Sequence, residues 1–328
     1  MGYSNEVVRR ARERLEQAKA DRESENHQHL AQAYAKVPRL KEIDLQLRRT
    51  MIMAAQSVFS KGGDVQAAME RVKEENLSLQ RERALLVSIN FEEGFLDDSP
   101  ICDRCGGTGY VGSAMCECLQ ELCRQEQKKE LTILSGGKES FSKFRLDYYS
   151  SAFDARYGGS PRMIMEKNLK HCRSFAAAFA PGVGNLLFVG GTGLGKTFLA
   201  ASIAREVADR GYGVCYETAS QLFSKMERAK FSNDEEARRQ TDKYTSSDLL
   251  IIDDLGTEMP GQFVTAALYS LLNERLIAGK PMVITTNLNV EEAGRRYSQQ
   301  VASRLYGSFT RLTFVGEDIR VLKNKGMV

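Results

Sequence analysis

Residues 190–197 read Gly-Gly-Thr-Gly-Leu-Gly-Lys-Thr, a G-x-x-x-x-G-K-[ST] pattern with Gly190, Gly195, Lys196 and Thr197 at its fixed positions. The apolar run 185–189 before it reads as a buried strand. The stretch 196–209 after it sets Ala200, Ile203, Ala204 and Val207 at helical spacing. Strand, glycine-rich turn and helix in that order let successive backbone N–H groups point inward and cradle phosphate oxygens. The helix N-terminus adds partial positive charge. On this reading Gly190, Gly191, Thr192, Gly193, Leu194, Gly195, Lys196, Thr197 and Phe198 form a nucleotide phosphate site. Lys196 reaches the β- and γ-phosphates and the Thr197 hydroxyl ligates Mg²⁺.

The segments after residue 184 alternate as strands and helices at 185–189, 196–209, 213–217, 219–229, 248–252, 261–278 and 282–286. Such alternation predicts an α/β domain, a parallel sheet with flanking helices. Asp248-Leu-Leu-Ile-Ile-Asp-Asp254 is an apolar strand ending in two carboxylates. Asp253 is expected to hold Mg²⁺, and Asp254 to polarise the attacking water, with Glu258 as a stand-in. Met282-Val-Ile-Thr-Thr-Asn-Leu288 is a third strand with a polar end. In a doubly wound sheet that end faces the ligand crevice, so Asn287 is expected at the γ-phosphate or the water. Arg304, within Val301-Ala-Ser-Arg-Leu305, is the candidate for completing a neighbouring subunit's site, and Arg311 and Arg320 nearby are further candidates for contacting phosphate.

Five of the seven cysteines fall between 102 and 123. Cys102-x-x-Cys105 and Cys116-x-Cys118, joined by a Gly-rich connection, match a tetrahedral four-thiolate site for Zn²⁺. Cys123 is an alternative ligand, and an iron–sulfur cluster fits the same donors. A closed four-thiolate site has no open position for chemistry, so its expected role is structural. The first 36 residues are charged and helical in pattern, and Pro38 interrupts them. Leu40, Ile43, Leu47, Met51, Ala54 and Val58 then recur at helical spacing. A turn at Lys61-Gly-Gly-Asp64, with Asp64 as N-cap, leads to a second periodic run of Val65, Met69, Val72, Leu79 and Leu86. The two runs predict an antiparallel helical hairpin. The expected division is 1–98 as a helical partner-binding region, 99–123 as the zinc module, 124–159 as a linker and 160–328 as the ATPase domain. The linker contains a Gly136-Gly137 break and an aromatic-rich stretch, 141–149, and a helix from Pro161 to Phe179 follows it.

No apolar run approaches the roughly 20 residues of a membrane span, and the charged N-terminus lacks a signal-peptide core. The expectation is therefore a cytoplasmic protein with no membrane partner. The net charge of +3 is too small to argue for nucleic-acid binding by itself.

The order of the four elements from the glycine-rich loop to Arg304 resembles that of the AAA+ ATPases. The segment after Asn287 is too short for a typical helical lid. The chain is therefore similar to the lidless branch, which holds helicase loaders of the DnaC/DnaI type and transposition helpers of the IstB type. Local wording agrees: Leu-Leu-Phe-Val-Gly-Gly-Thr-Gly-Leu-Gly-Lys-Thr, Ile-Ile-Asp-Asp-Leu-Gly-Thr-Glu, Ile-Thr-Thr-Asn-Leu and the closing Phe-Val-Gly-Glu-Asp-Ile-Arg320. A cysteine-rich module before the ATPase also resembles loaders more than IstB helpers. The resemblance implies ATP and Mg²⁺ as cofactors, self-association through the ATPase domain, and a replicative hexameric helicase bound through the N-terminal helices. It also implies delivery of that helicase to single-stranded DNA. Lys225, Arg228, Lys230 and Phe231 are the candidate DNA contacts, weakened by the following Asp234, Glu235 and Glu236. Two alternatives remain: a transposase-assisting ATPase, and an adaptor that binds nucleotide but hydrolyses it weakly.

Overall fold

The computed structural model describes residues 2–57, 65–135, 139–232 and 235–324. The expected turn and cap at 61–64, the Gly136-Gly137 break, Val58 and Asp234 lie outside them, as do the side chains of Met51, Ala54, Val65, Met69, Val72 and Glu236. The chain forms two compact units, Arg14–Cys116, and Met1–Glu13 together with Glu117–Val328.

Three helices dominate the N-terminal part: α1 (Asn5–Lys36), α2 (Pro38–Ser57) and α3 (Val65–Asn90). The Ser4 hydroxyl accepts the Val7 N–H at the start of α1, and Glu6 sits in its first turn. Pro38 opens α2, where its missing N–H costs nothing. Helices α2 and α3 run antiparallel. Arg39 pairs with Glu82 at 2.8 Å and Arg83 with Asp44 at 2.8 Å, while Thr50 donates to Asn76 at 2.5 Å. Leu40, Ile43 and Leu79 are buried. After α3, the ring of Phe95 stacks on those of His29 and Phe91. A two-residue hairpin, β1 (Tyr110–Val111) and β2 (Ala114–Met115), follows.

The larger unit is built on a five-stranded sheet. Helix α4 (Glu117–Ser135) and the short 3₁₀ turns Phe141–Lys143 and Leu146–Tyr148 occupy much of the expected linker. Helix α4 packs there: Leu131 is buried, and the Gln127 side chain both donates to the Tyr212 carbonyl and accepts the Val214 N–H. Then come α5 (Pro161–Ala177), β3 (Leu186–Val189), α6 (Lys196–Asp209), β4 (Val214–Thr218), α7 (Ala219–Phe231), α8 (Glu235–Ser246) and β5 (Leu249–Leu255). The chain closes with α9 (Gln262–Ile277), β6 (Met282–Thr286), α10 (Val290–Arg296), α11 (Gln299–Gly307), β7 (Thr310–Thr313) and α12 (Ile319–Asn324). Strand order is β4-β5-β6-β3-β7 and every pair is parallel.

Side-chain alternation along the strands divides the core into two layers. Leu186, Phe188, Leu249, Ile251 and Val283 pack with α5 and α6 on one face. Leu187, Leu250, Ile252, Met282 and Ile284 pack with α7, α9 and α11 on the other. Arg275 of α9 is fully buried, and its guanidinium donates to the carbonyls of Tyr244, Ser247, Asp248 and Pro281. It thereby satisfies backbone acceptors around the start of β5 that burial would otherwise orphan. From β3 the chain crosses toward β4, and from its neighbour β6 it crosses the other way to β7. This switch point opens a crevice at the C-terminal ends of the strands.

Candidate nucleotide site and cysteine centre

The glycine-rich loop fills that crevice. Gly193 (φ 71°) and Gly195 (φ 89°) hold left-handed backbone conformations. A Cβ on Gly193 would overlap the Asp318 carboxylate, and one on Gly195 would press on the Tyr149 hydroxyl at 2.9 Å. The loop is thus clasped from two sides. Tyr149 donates to the Leu194 carbonyl at 2.9 Å, and the Ile319 N–H to the Gly193 carbonyl at 3.0 Å.

Thr192 to Phe198 line a cavity of about 330 Å³. Gly190 and Gly191 are placed otherwise: their carbonyls accept from the Lys196 ammonium at 2.7 and 2.6 Å. The third partner of Lys196 is Asn287 Oδ1 at 2.5 Å. The structure thus brings Lys196 and Asn287 together. Burial disfavours the Lys196 charge and lowers its pKa, and the Asp254 and Asp253 carboxylates oppose that shift.

Asp253 is almost fully buried. Its Oδ1 accepts from Thr285 at 2.6 Å and Thr197 at 3.2 Å, and its Oδ2 accepts from Tyr216 at 2.8 Å. Burial, reinforced by Asp253, keeps the Tyr216 phenol protonated and able to donate. Asp254 lies in a β-bulge, where the register between β5 and β6 shifts between Ile252 and Leu255. It is the non-glycine residue with positive φ, 54°, among those described. Its carboxyl lines the cavity, and burial and then Asp253 raise its pKa. Glu258 is committed elsewhere, accepting from the Gly256 N–H at 2.9 Å, from Tyr297 and from Arg296. Those partners remove it as a stand-in for Asp254.

Apart from Arg320, the rest of the cavity wall falls outside the sequence motifs. Phe144, Tyr148 and Tyr149 come from the 3₁₀ segment, and Ile319, Arg320 and Lys323 from α12. Phe144 lies 5.7 Å from the Phe198 ring, and the cations of Arg145 and Lys323 lie 5.2 and 5.1 Å from the centre of Tyr148. An apolar, aromatic wall beside a basic loop suits a nucleoside polyphosphate. The signal for it was the aromatic run at 141–149. Of the three arginines, Arg320 reaches this cavity. Arg304 does not line it, but bonds Asn273 and the Tyr269 hydroxyl and stacks 4.4 Å over the Tyr269 ring.

The thiols of Cys102, Cys105, Cys116 and Cys118 lie within 4.8 Å of one another. Cys102 and Cys116 sulfurs are 3.8 Å apart, and a tetrahedron of about 2.3 Å Zn–S bonds has edges of about 3.8 Å. The Gly109 N–H donates to the Cys105 sulfur at 3.3 Å, a bond that stabilises thiolate charge. The donor set therefore fits Zn²⁺. Cys123 is absent from the cluster; it is fully buried, and burial raises its pKa to about 11.

The basic stretch on α7 is less free than its sequence suggests. The Lys225 ammonium is held 2.7 Å from the buried Glu217 carboxylate. Phe231, 71% exposed, instead gains Phe263 of α9 as a neighbour at 5.9 Å, with the Lys230 ammonium 5.7 and 5.4 Å from the two rings.

A parallel sheet with a phosphate loop at its switch point and paired strand-end carboxylates defines a nucleotide-binding domain of the P-loop class. Residues 153–308 match the family model described as IstB-like ATP binding protein. That segment is similar to the ATP-binding domains of IstB and DnaC proteins. It is similar to the replicative helicase loader DnaC of Escherichia coli strain K12, with 25% identity over 137 residues, 42% of this chain and 56% of that protein. The chain thus spans little more than half the length of this relative. It is also similar to the ATP-binding protein of insertion sequence IS21 from Pseudomonas aeruginosa, with 25% identity over 237 residues, 63% of this chain and 83% of that protein. Among solved structures, the crystal structure of DnaI matches with a TM-score of 0.45 and 21% identity, covering 59% of this chain and 99% of that one. No helix among the described residues is long and apolar enough to cross a membrane.

Proposed function

We propose that this protein is an ATP-dependent loader that delivers a replicative hexameric helicase to single-stranded DNA. The observation that carries the reading is the cysteine cluster between the helical segment and the nucleotide domain, because a transposition helper has no need of it. Thr197 and Asp253 would hold Mg²⁺, which supplies charge neutralisation at the β- and γ-phosphates. Lys196 exchanges its loop carbonyls for phosphate oxygens. Asp254 orients the attacking water and accepts its proton, Asn287 fixes the γ-phosphate side, and Arg320 adds positive charge. Arg304, outside its own chain's cavity, serves the site of a neighbouring copy. Hydrolysis or nucleotide exchange then releases the loader.

In this reading the helices within 1–98 bind the helicase. Leu85 and Ile89, 60% and 70% exposed on successive turns of α3, offer an apolar contact. Phe231 and Phe263 would stack bases while Lys230 meets phosphate. Light scattering after size exclusion, with the host's replicative helicase and with or without ATP, tests this. Wild type should co-elute with the helicase. A double variant, Leu85→Asp with Ile89→Asp, should fail to do so while still binding nucleotide. No complex in either nucleotide state would sink the loader reading.

A second reading, a transposase-assisting ATPase, draws on the IS21 relative, whose match covers the larger share of both chains. Preference for duplex over single-stranded DNA would favour it. Absence of turnover with and without single-stranded DNA would instead favour a nucleotide-dependent adaptor.

A further inference from the structure

Strand β5 runs between β4 and β6, and the carboxylate at its end is held from both neighbours. From β6, Thr285 donates to Asp253 Oδ1 at 2.6 Å. From β4, Tyr216 donates to Oδ2 at 2.8 Å. The remaining bond, from Thr197, is the longest at 3.2 Å, and the Thr197 hydroxyl would leave it to meet a cation. An aspartate carboxylate rotates broadly about its last torsion, and the backbone just beyond Asp253 departs from strand geometry at Asp254. One donor on each oxygen removes that freedom.

The next residue on β4 keeps the tyrosine itself in place. Glu217 projects to the opposite face, where its Oε1 accepts from Lys225 of α7 at 2.7 Å and Lys243 of α8 at 2.8 Å. Tyr216 is buried against the α5–α6 layer. Its hydroxyl reaches the metal-holding carboxylate from that side.

We propose that Tyr216 is a positioning residue for the nucleotide's divalent cation, locking the Asp253 carboxylate in its receiving orientation. The proposal rests on the ATP-site reading above. Its effect belongs to the cation-dependent part of nucleotide binding, because Tyr216 does not line the nucleotide cavity.

The test titrates the full chain with a fluorescent ADP analogue in Mg²⁺ and in EDTA. Tyr216→Phe deletes one hydroxyl and keeps the ring. Tyr244→Phe is the control, since the buried Tyr244 hydroxyl has no hydrogen-bond partner among the described residues. Tyr216→Phe should lower affinity in Mg²⁺ by about tenfold, the scale of one hydrogen bond to a charged group. It should match wild type in EDTA, and Tyr244→Phe should match wild type in both. Equal losses in Mg²⁺ and EDTA would mean a merely structural role and overturn the proposal. So would an unchanged Mg²⁺ dependence in a wild type that shows one. A wild type that binds nucleotide in neither condition overturns the ATP-site reading itself, and this proposal with it.

Discussion

Asp254 joins a left-handed backbone to a carboxyl held against a second one. A left-handed conformation costs an ordinary L-residue about 1–2 kcal/mol, and aspartate tolerates it better than most. Its carboxyl is also held above its usual pKa by burial and by Asp253. The folded state therefore binds that proton more tightly than the unfolded state. Its contribution to stability is present at low pH and is lost as pH rises from 3.8 through the raised value. Asp254→Gly relieves both penalties but adds chain entropy to the unfolded state, worth about 0.5–1 kcal/mol. Urea unfolding should find this variant at least as stable as wild type at neutral pH, with a smaller decline across that acid window, while ATP turnover falls. A variant that loses stability and keeps turnover would show that the strained aspartate serves the fold alone.

At the scale of elements, the cysteine hairpin depends on something other than its own strands. Two-residue strands such as β1 and β2 are too short to hold a fold, so the four sulfurs would be the staple. Purified protein should release one Zn²⁺ per four reactive thiols when treated with a mercurial in the presence of a chromogenic chelator. Cys105→Ser should purify without stoichiometric metal. A visible charge-transfer band in place of released zinc would point to an iron–sulfur cluster. Some elements were plain in the sequence, and others were hidden for physical reasons. Strands β3, β5 and β6 are buried on both faces, so they read as continuous apolar runs. The phosphate loop reads just as clearly because its glycines and lysine are fixed by geometry. Strand β7 is an edge strand whose single buried residue is Leu312, so Thr-Arg-Leu-Thr looks like a loop. Helix α8 is mostly polar and buries Ala237 and Tyr244. The aromatic wall from Phe144 to Tyr149 lies in 3₁₀ turns and extended chain, which have no period to detect. The hydrogen bonds of Tyr216 and Thr285 to Asp253 cross between strands, and spacing along one chain does not reveal them.

At the scale of the whole molecule, the proposed loader would use Arg304 on a neighbouring copy, since this residue lies outside its own chain's cavity. Its guanidinium is held by Asn273 and Tyr269 on the α9 surface, away from the cavity lined by Lys196 and Arg320. Arg304→Ala should bind the ADP analogue as wild type does. It should lose ATP-induced self-association, seen by mass photometry, and most of its turnover. Normal turnover in this variant would remove Arg304 from catalysis. The strand order also bears on how the molecule is made. Strand β3 pairs with β6 and β7, never with the strand that follows it. During synthesis, at about 5–20 residues per second, Leu-Leu-Phe-Val leaves the ribosome on the order of 5–20 s before its first partner does. For that interval the strand that presents the phosphate loop is an apolar ribbon with both edges open. Of the five sheet strands this one waits longest for a partner, so it stands to gain most from shielding by a chaperone.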